Sequence, residues 1–238
     1  MNATFSVIIP VFNEASVITR AVEHVHHIGD HWDFEIIAVD GEAEGRTINA
    51  IKDLKTQTII SRKGRGCQMN AGAARAQGEI LIFLHADTKL PGDAFTAISV
   101  AIRQGNYDAG AFHLGIESER FAYRVIEKMV SIRSGLTKIP YGDQAIFVKK
   151  EVFTKSGGFQ DIPLMEDVEF MKRLKKNGYR ICILPKQVKT SARRWEEEGI
   201  FYCTMRNWLL ISLYLAGVHP EKLVRFYYKD KKTDSAAR

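Results

Sequence analysis

Along the first hundred positions, short dense apolar runs alternate with stretches of helical period. Residues 5–10, 34–40, 58–61 and 79–85 are brief runs rich in Val and Ile, the pattern of strands covered on both faces. Between them the spacing predicts a helix from about Asn13 or Ser16 (either a candidate cap) to His27. It also predicts a short helix over 47–54, an Ala-rich helix over 66–76 and another over 95–103. Strand–helix alternation of this kind predicts a parallel sheet with helices on both faces. Ligands in such sheets sit at the carboxyl ends of strands. Asp40 and Asp87 both fall at predicted strand ends.

The second half is less regular. Strands are expected over 108–116, 144–148 and 180–184, and helices over 119–133, 163–177 and most of 195–216. The 163–177 helix is well marked. Pro163 opens it, Glu166 and Asp167 lie in its first turns, basic residues come late and Gly178 follows. The tail after Lys229 is polar and expected to fray. With no repeat and no linker, the chain reads as one domain.

Composition narrows the class. The 238 residues are 45% apolar and 26% charged, as in ordinary globular proteins. The net charge is +6, unevenly spread: 171–194 holds nine Lys or Arg and no acid. That segment suits phosphate, acidic lipid or an anionic substrate, and equally a solvated face. No nucleic-acid module is recognisable. Cys67, Cys182 and Cys203 form no Cys-x-x-Cys pair, which argues against a disulfide framework or structural zinc and for a reducing, cytoplasmic home. The N-terminus lacks the marks of a signal peptide. The longest apolar run, 208–218, is shorter than the ~20 residues of a membrane span. With Lys222, Arg225, Lys229, Lys231 and Lys232 behind it, it reads either as an interfacial helix at the inner membrane face or as a core helix closing over the sheet. The core reading is preferred.

Candidate chemistry is modest residue by residue. Asp87, in Leu84-His-Ala-Asp-Thr88, suits a hard cation or a turn. Asp40 suits a nucleobase or ribose hydroxyl, or a turn before Gly41. Glu166 and Asp167 suit a general base, or simply the N-terminus of a helix. The glycine-rich 64–72 segment, with Arg65, Gln68 and Asn70, lets backbone approach a phosphate, yet matches no established phosphate-loop motif. Arg193 and Arg194 suit a diphosphate clamp, and Trp195 the floor of a sugar site, against a plain surface Arg–Trp stack. None of the seven histidines joins a convincing metal set.

Their order along the chain is more telling. Residues 6–14 (Ser-Val-Ile-Ile-Pro-Val-Phe-Asn-Glu), 39–41 (Val-Asp-Gly), 68–72 (Gln-Met-Asn-Ala-Gly), 85–87 (His-Ala-Asp), 142–144 (Gly-Asp-Gln), 164–167 (Leu-Met-Glu-Asp) and Arg194-Trp195 resemble, in sequence order, the motifs of family 2 glycosyltransferases. The resemblance reaches about Tyr228 and is nearest a small bacterial subgroup sometimes labelled arsenosugar-biosynthesis glycosyltransferases. It implies a GT-A fold: a Rossmann-like, three-layer α/β/α arrangement around a mostly parallel sheet. Residues 1–105 would form the nucleotide-binding half, 106–228 the acceptor half, and 229–238 a flexible tail. It further implies a UDP- or GDP-sugar donor, a divalent cation (Mn²⁺ or Mg²⁺) and inversion at the anomeric carbon. The acceptor is a small-molecule or lipid-linked hydroxyl.

Carried onto this chain, the resemblance makes Asp87 the metal ligand. Asp167 is the base, with Glu166 second and Asp143 beside them. The donor set is Pro10, Phe12, Asn13, Glu14, Asp40, Arg65, Gln68, Asn70, His85, Ala86, Arg193, Arg194 and Trp195. Gly142, Asp143, Gln144 and Trp195 face the acceptor. Three positions depart from the pattern. Gly45 stands where many members have a second aspartate, His85 replaces the first aspartate of the metal motif, and Ser191 replaces the glutamine of processive members. The alternative is a degenerate nucleotide-binding protein. A nucleotidyltransferase ranks lower, because residues 11–14 are acidic and lack glycine.

Overall fold

The structure is a computed structural model and describes residues 4–53 and 55–227. Its frame is one eight-stranded sheet, and the register of the first strands explains why they were readable. β1 (Phe5–Val11) is buried at all seven positions. It lies parallel between β2 (Phe34–Asp40) and β4 (Ile80–Phe83), and β3 (Gln57–Ile60) lies parallel to β2. A strand covered on both faces needs apolar residues at every position.

The odd residues of β1 (Phe5, Val7, Ile9, Val11) enter one core with Ile18 and Val22 of α1 (Ala15–Gly29) and Phe95 and Ile98 of α3 (Ala94–Arg103). Ile8 enters the opposite core with Met69 and Ala73 of α2 (Arg65–Arg75). The result is the three-layer α/β/α arrangement expected. Each core carries an aromatic cluster: Phe5, Trp32, Phe34 and Phe95 on one side, Phe83, Phe153, Phe159 and Phe170 on the other. Each fully buried ring contributes on the order of 2 kcal/mol.

Beyond the short β5 (Thr88–Lys89) the sheet changes character. Its order is β3-β2-β1-β4-β7-β6-β8-β5. β7 (Ile146–Lys149) is wedged antiparallel between β4 and β6 (Ala109–Glu117). β6 then runs parallel to β8 (Ile181–Ser191), which carries β5 antiparallel at the edge. The register of β6 against β8 slips between Phe112 and His113, opposite Pro185. Proline has no N–H to give the ladder, so the strand bulges there.

Several local expectations are corrected. Neither Asn13 nor Ser16 caps α1; Glu14 occupies that position without a side-chain bond, and Asn13 has φ +59°. The 47–54 helix shrinks to a single 3-10 turn, Ile48–Ala50; Leu54 lies outside the described residues. The last strand is much longer than 180–184. After α4 (Phe121–Thr137) come α5 (Lys150–Lys155), which the pattern did not predict, α6 (Glu166–Lys176), and a C-terminal helical stretch. That stretch is broken at Gly199 (φ +86°) into α7 (Arg193–Glu198) and α8 (Ile200–Leu215), and α9 (Pro220–Tyr227) follows.

The core reading of α8 does not hold. It buries only Cys203, Arg206 and Leu210. No described helix is long and apolar enough to cross a membrane. The tail 229–238 lies outside the described residues. Nor does the basic 171–194 segment form one patch: Arg173 pairs with Glu169 and Lys186 with Asp93 on separate elements.

Candidate active site

The carboxyl ends of β1 and β4 open into a cleft of about 860 Å³. β1 supplies Pro10 and Val11, with Phe12 and Glu14 just beyond. The turn after β4 supplies His85, Ala86 and Asp87. α2 contributes Arg65 and Gln68 from its first turns. The far wall is built by the 3-10 turn Gly142–Gln144, the start of α6, the end of β8 with α7, and the inner faces of α4 and α8.

Each group is held for an identifiable reason. Gln68 donates from Nε2 to the carbonyls of Val11 (2.7 Å) and Val39 (2.8 Å), tying together the ends of β1 and β2. Asp87 is fixed through its backbone, its carbonyl accepting the Ser191 N–H at 3.1 Å. Asp167 accepts the N–H of Gly142 at 2.5 Å and that of Val168 at 2.7 Å. Those bonds bring the Gly142–Gln144 turn and the N-terminus of α6 to one point. A Cβ on Gly142 would sit 3.1 Å from His85 Nε2 and 3.3 Å from Asp167 Oδ2, so only glycine leaves that gap open.

The electrostatics are acid-rich. Burial pushes the Glu14 carboxyl up to about 6, and the Asp87 charge adds to it. Burial likewise pushes Asp143 up to about 6, with Asp167 adding and Arg133 opposing. Asp143 Oδ1 is buried without a partner, a costly arrangement for a carboxylate. Glu166 is also raised by burial, against the pull of Arg65, whose guanidinium lies 3.5 Å away. His85 is pulled down to about 3 by burial and then by Arg65, so its ring is neutral. Part of that imidazole still faces the cleft, since His85 is only half-buried. Among the described residues no three His, Cys, Asp or Glu side chains form a ready metal cage.

The cleft thus gathers Pro10, Phe12, Glu14, Arg65, Gln68, His85, Ala86, Asp87, Gly142, Asp143, Glu166, Asp167, Arg194 and Trp195. It does not gather every residue singled out from the sequence. Asp40 is fully buried, and its two oxygens accept the N–H groups of Glu42, Thr47 and Ile48; the carboxylate holds the 3-10 turn and does not line the cleft. Asn70 grips both the N–H and the carbonyl of Phe159. Gln144 is buried, donating to the carbonyl of Phe112 and accepting from the Tyr141 N–H. Asn13 and Arg193 also fall outside the lining. Arg194 is inside, paired with Glu198 at 3.4 Å and stacked 4.4 Å over the Tyr227 ring.

Sequence reasoning missed Arg133 and Tyr141. The Arg133 guanidinium lies 3.3 Å from the Tyr141 ring centroid and donates to the Ile139 carbonyl (3.0 Å) and to Gln144 Oε1 (3.3 Å). The available signal was an arginine three and seven positions after Val130 and Ile126, on the apolar face of α4.

The family model for glycosyl transferase family 2 matches residues 6–160, well over half the chain. The chain belongs to glycosyltransferase family 2. Among curated relatives it is 24% identical over 221 residues to "Probable glycosyltransferase YdaM" of Bacillus subtilis, covering 81% of this chain and 50% of that protein. It is 35% identical over 89 residues to "Uncharacterized glycosyltransferase alr2836" of Nostoc sp., covering 34% of this chain and 27% of that protein. The chain therefore spans half or less of the length of these relatives. Among solved structures, a mannosyltransferase of Pyrobaculum calidifontis in complex with GDP-Man and Mn²⁺ superposes with TM-score 0.69 at 18% identity, over 96% of this chain and 70% of that one. S. aureus TarS in complex with UDP-GlcNAc gives 0.61 at 17% identity, over 80% and 58%. The fold is GT-A.

Proposed function

We propose that this family 2 member transfers a sugar from a UDP- or GDP-linked donor to an acceptor hydroxyl, inverting the anomeric centre. The observation that carries this is the convergence of Asp87, Asp143 and Asp167 around one cleft, with Arg65 among them. The two neighbours crystallised with GDP-Man and UDP-GlcNAc share this fold.

The residues suit a divalent cation. Burial chiefly raises the carboxyls of Glu14 and Asp143, and the Asp87 charge adds to both, as the smallest contribution at Asp143; a cation relieves that repulsion. Mg²⁺ and Mn²⁺ need only one or two protein carboxylates when substrate phosphates and water complete the shell. Asp87, at the end of β4 on the cleft wall, would hold it; one neighbour of the same fold was solved with Mn²⁺. When bound, such a cation offsets charge building on the departing diphosphate.

The chain's own groups do the rest. Asp167, oriented by two backbone N–H groups, takes the proton of the attacking hydroxyl. Glu166 is the weaker candidate, because it is buried and faces Arg65; it positions that guanidinium. Arg65 and Arg194 face the anionic donor, and neutral His85 adds a hydrogen-bonding group without charge. Phe12, exposed at the mouth, lies flat against Lys63 Nζ at 3.9 Å and offers a stacking surface for a base. The other reading is a nucleotide-binding protein without turnover, motivated by His85 and Gly45 standing where the family motifs have aspartates.

Incubation with a panel of UDP- and GDP-sugars and Mn²⁺ separates the two. Wild type should release nucleoside diphosphate, and Asp87→Ala should lose about 10³-fold in rate, or ~4 kcal/mol. Turnover unchanged in Asp87→Ala would remove the metal role; tight binding without turnover across the panel would favour the second reading.

A further inference from the structure

α8 is built the wrong way round for a helix of a water-soluble domain. Its single charged residue, Arg206, is buried and paired with Glu198. Its large apolar residues face out: Phe201 is 80% exposed, and Tyr202, Met205, Trp208, Leu209 and Leu215 are exposed with it. An outward apolar stripe of this length marks an interaction surface.

α4 repeats the arrangement. Phe121, Val125, Met129, Ile132 and Leu136 recur at helical spacing and are all exposed, Phe121 and Leu136 at 79%. Both helices wall the same cleft, and Met129, Ile132 and Trp208 belong at once to an exposed stripe and to the cleft lining. The apolar surface is therefore continuous with the site where the acceptor enters.

Charge selects the occupant. Residues 119–138 expose Arg120, Arg124, Lys128 and Lys138 against one exposed acid, Glu119; Glu127 is buried beside Arg124, and Arg133 is turned into the cleft against Tyr141. Exposed basic side chains along the apolar stripe of α4, with Tyr202 and Trp208 exposed on neighbouring α8, match an anionic bilayer surface. A second copy meeting this face symmetrically would set these cations against their own equivalents.

We propose that α4 and α8 dock on an anionic lipid bilayer. The acceptor is then an amphiphile whose apolar part stays in the bilayer while its hydroxyl enters between Met129 and Trp208. The docking stands on its own; the acceptor class rests on the transfer proposed above.

Flotation with phosphatidylcholine vesicles, with and without roughly one-quarter phosphatidylglycerol, tests it. The wild-type chain should rise with the anionic vesicles and much less with the neutral ones, and Trp208 emission should shift to the blue, a change lost in Trp208→Phe. Leu136→Ser and Phe201→Ser should each cut the bound fraction about tenfold. Both side chains are largely exposed, so thermal midpoints should stay near wild type. Lys128→Glu should weaken binding to anionic vesicles alone. A wild-type chain that floats with neither vesicle would overturn the proposal. So would Leu136→Ser and Phe201→Ser variants that float like wild type, or a dimer broken by Phe201→Ser without vesicle binding. Flotation needs no donor, so failed sugar transfer with intact flotation would sink the function and leave the docking standing.

Discussion

Asp40 and Asp143 are both acids placed at strand ends or turns, and their surroundings could hardly differ more. Asp40 ends β2 and gives both oxygens to backbone N–H groups. Asp143 sits in a turn of the second half with one oxygen buried and unpaired, its carboxyl pushed up to about 6. The contrast recurs in both halves. In the first, Asp40 and Asn70 are consumed in holding the fold, whereas Glu14 and Asp87, beyond the ends of β1 and β4, line the cleft and the Glu14 carboxyl is raised to about 6. The second, where β7 inserts antiparallel, leaves carboxyls raised and helices apolar on the outside. Asp40 is satisfied away from the cleft and is structural; Asp143 is left wanting a partner at the cleft, where a ligand can supply one, and Asp167 accepts two backbone N–H groups yet still lines the cleft.

The largest expected effect tests the satisfied side. Asp40→Ala strips acceptors from three N–H groups at a fully buried position. It should cost about 4 kcal/mol or prevent folding, measured by denaturant unfolding. A drop below ~1 kcal/mol would mean that Asp40 is not the structural anchor described and would reopen it as a ligand contact.

Glycine-to-alanine changes sharpen the comparison, because the same methyl enters each half. In Gly72→Ala the new Cβ would lie 2.5 Å from Ile8 Cγ2 in the core, and stability should fall by about 2 kcal/mol. In Gly142→Ala it enters the gap between His85 and Asp167. Turnover should fall about tenfold while stability changes by less than ~1 kcal/mol. Equal stability losses would erase the distinction between a packed half and an open one.

A gain is expected at Asp143. The folded protein binds the Asp143 proton more tightly than the unfolded chain does, because the carboxyl is raised from 3.8 to about 6. Ionising it therefore costs stability; the cost is complete above about 6 and vanishes as pH falls toward 3.8. Asp143→Asn should stabilise the protein by about 2 kcal/mol at alkaline pH, allowing for solvent in the cleft. That advantage should fade through the same window, as thermal unfolding across pH will report. A destabilised Asn variant at high pH would show that Asp143 has a favourable partner after all.

Legibility followed the same division. β1 and β2 were readable because both faces are covered, so every position is apolar. The expected 47–54 helix failed because Asp40 caps a single tight turn there. The break at Gly199 left α8 apolar outside, which an apolar run in a sequence cannot distinguish from a helix apolar inside. The acidic members of the site were legible through their order along the chain. Arg133 and Tyr141 carry no motif and come together only because α4 folds back over the 3-10 turn.

By itself, the sequence determined the strand–helix alternation, the three-layer sheet and the identity of the acids at strand and helix ends, since each depends on local period and burial. Only the tertiary structure decided which of those acids are occupied by backbone and which remain open. It also decided which face of α8 meets solvent. Hydrogen-bond satisfaction and side-chain exposure depend on what the rest of the chain places opposite, and neighbouring residues carry no record of that.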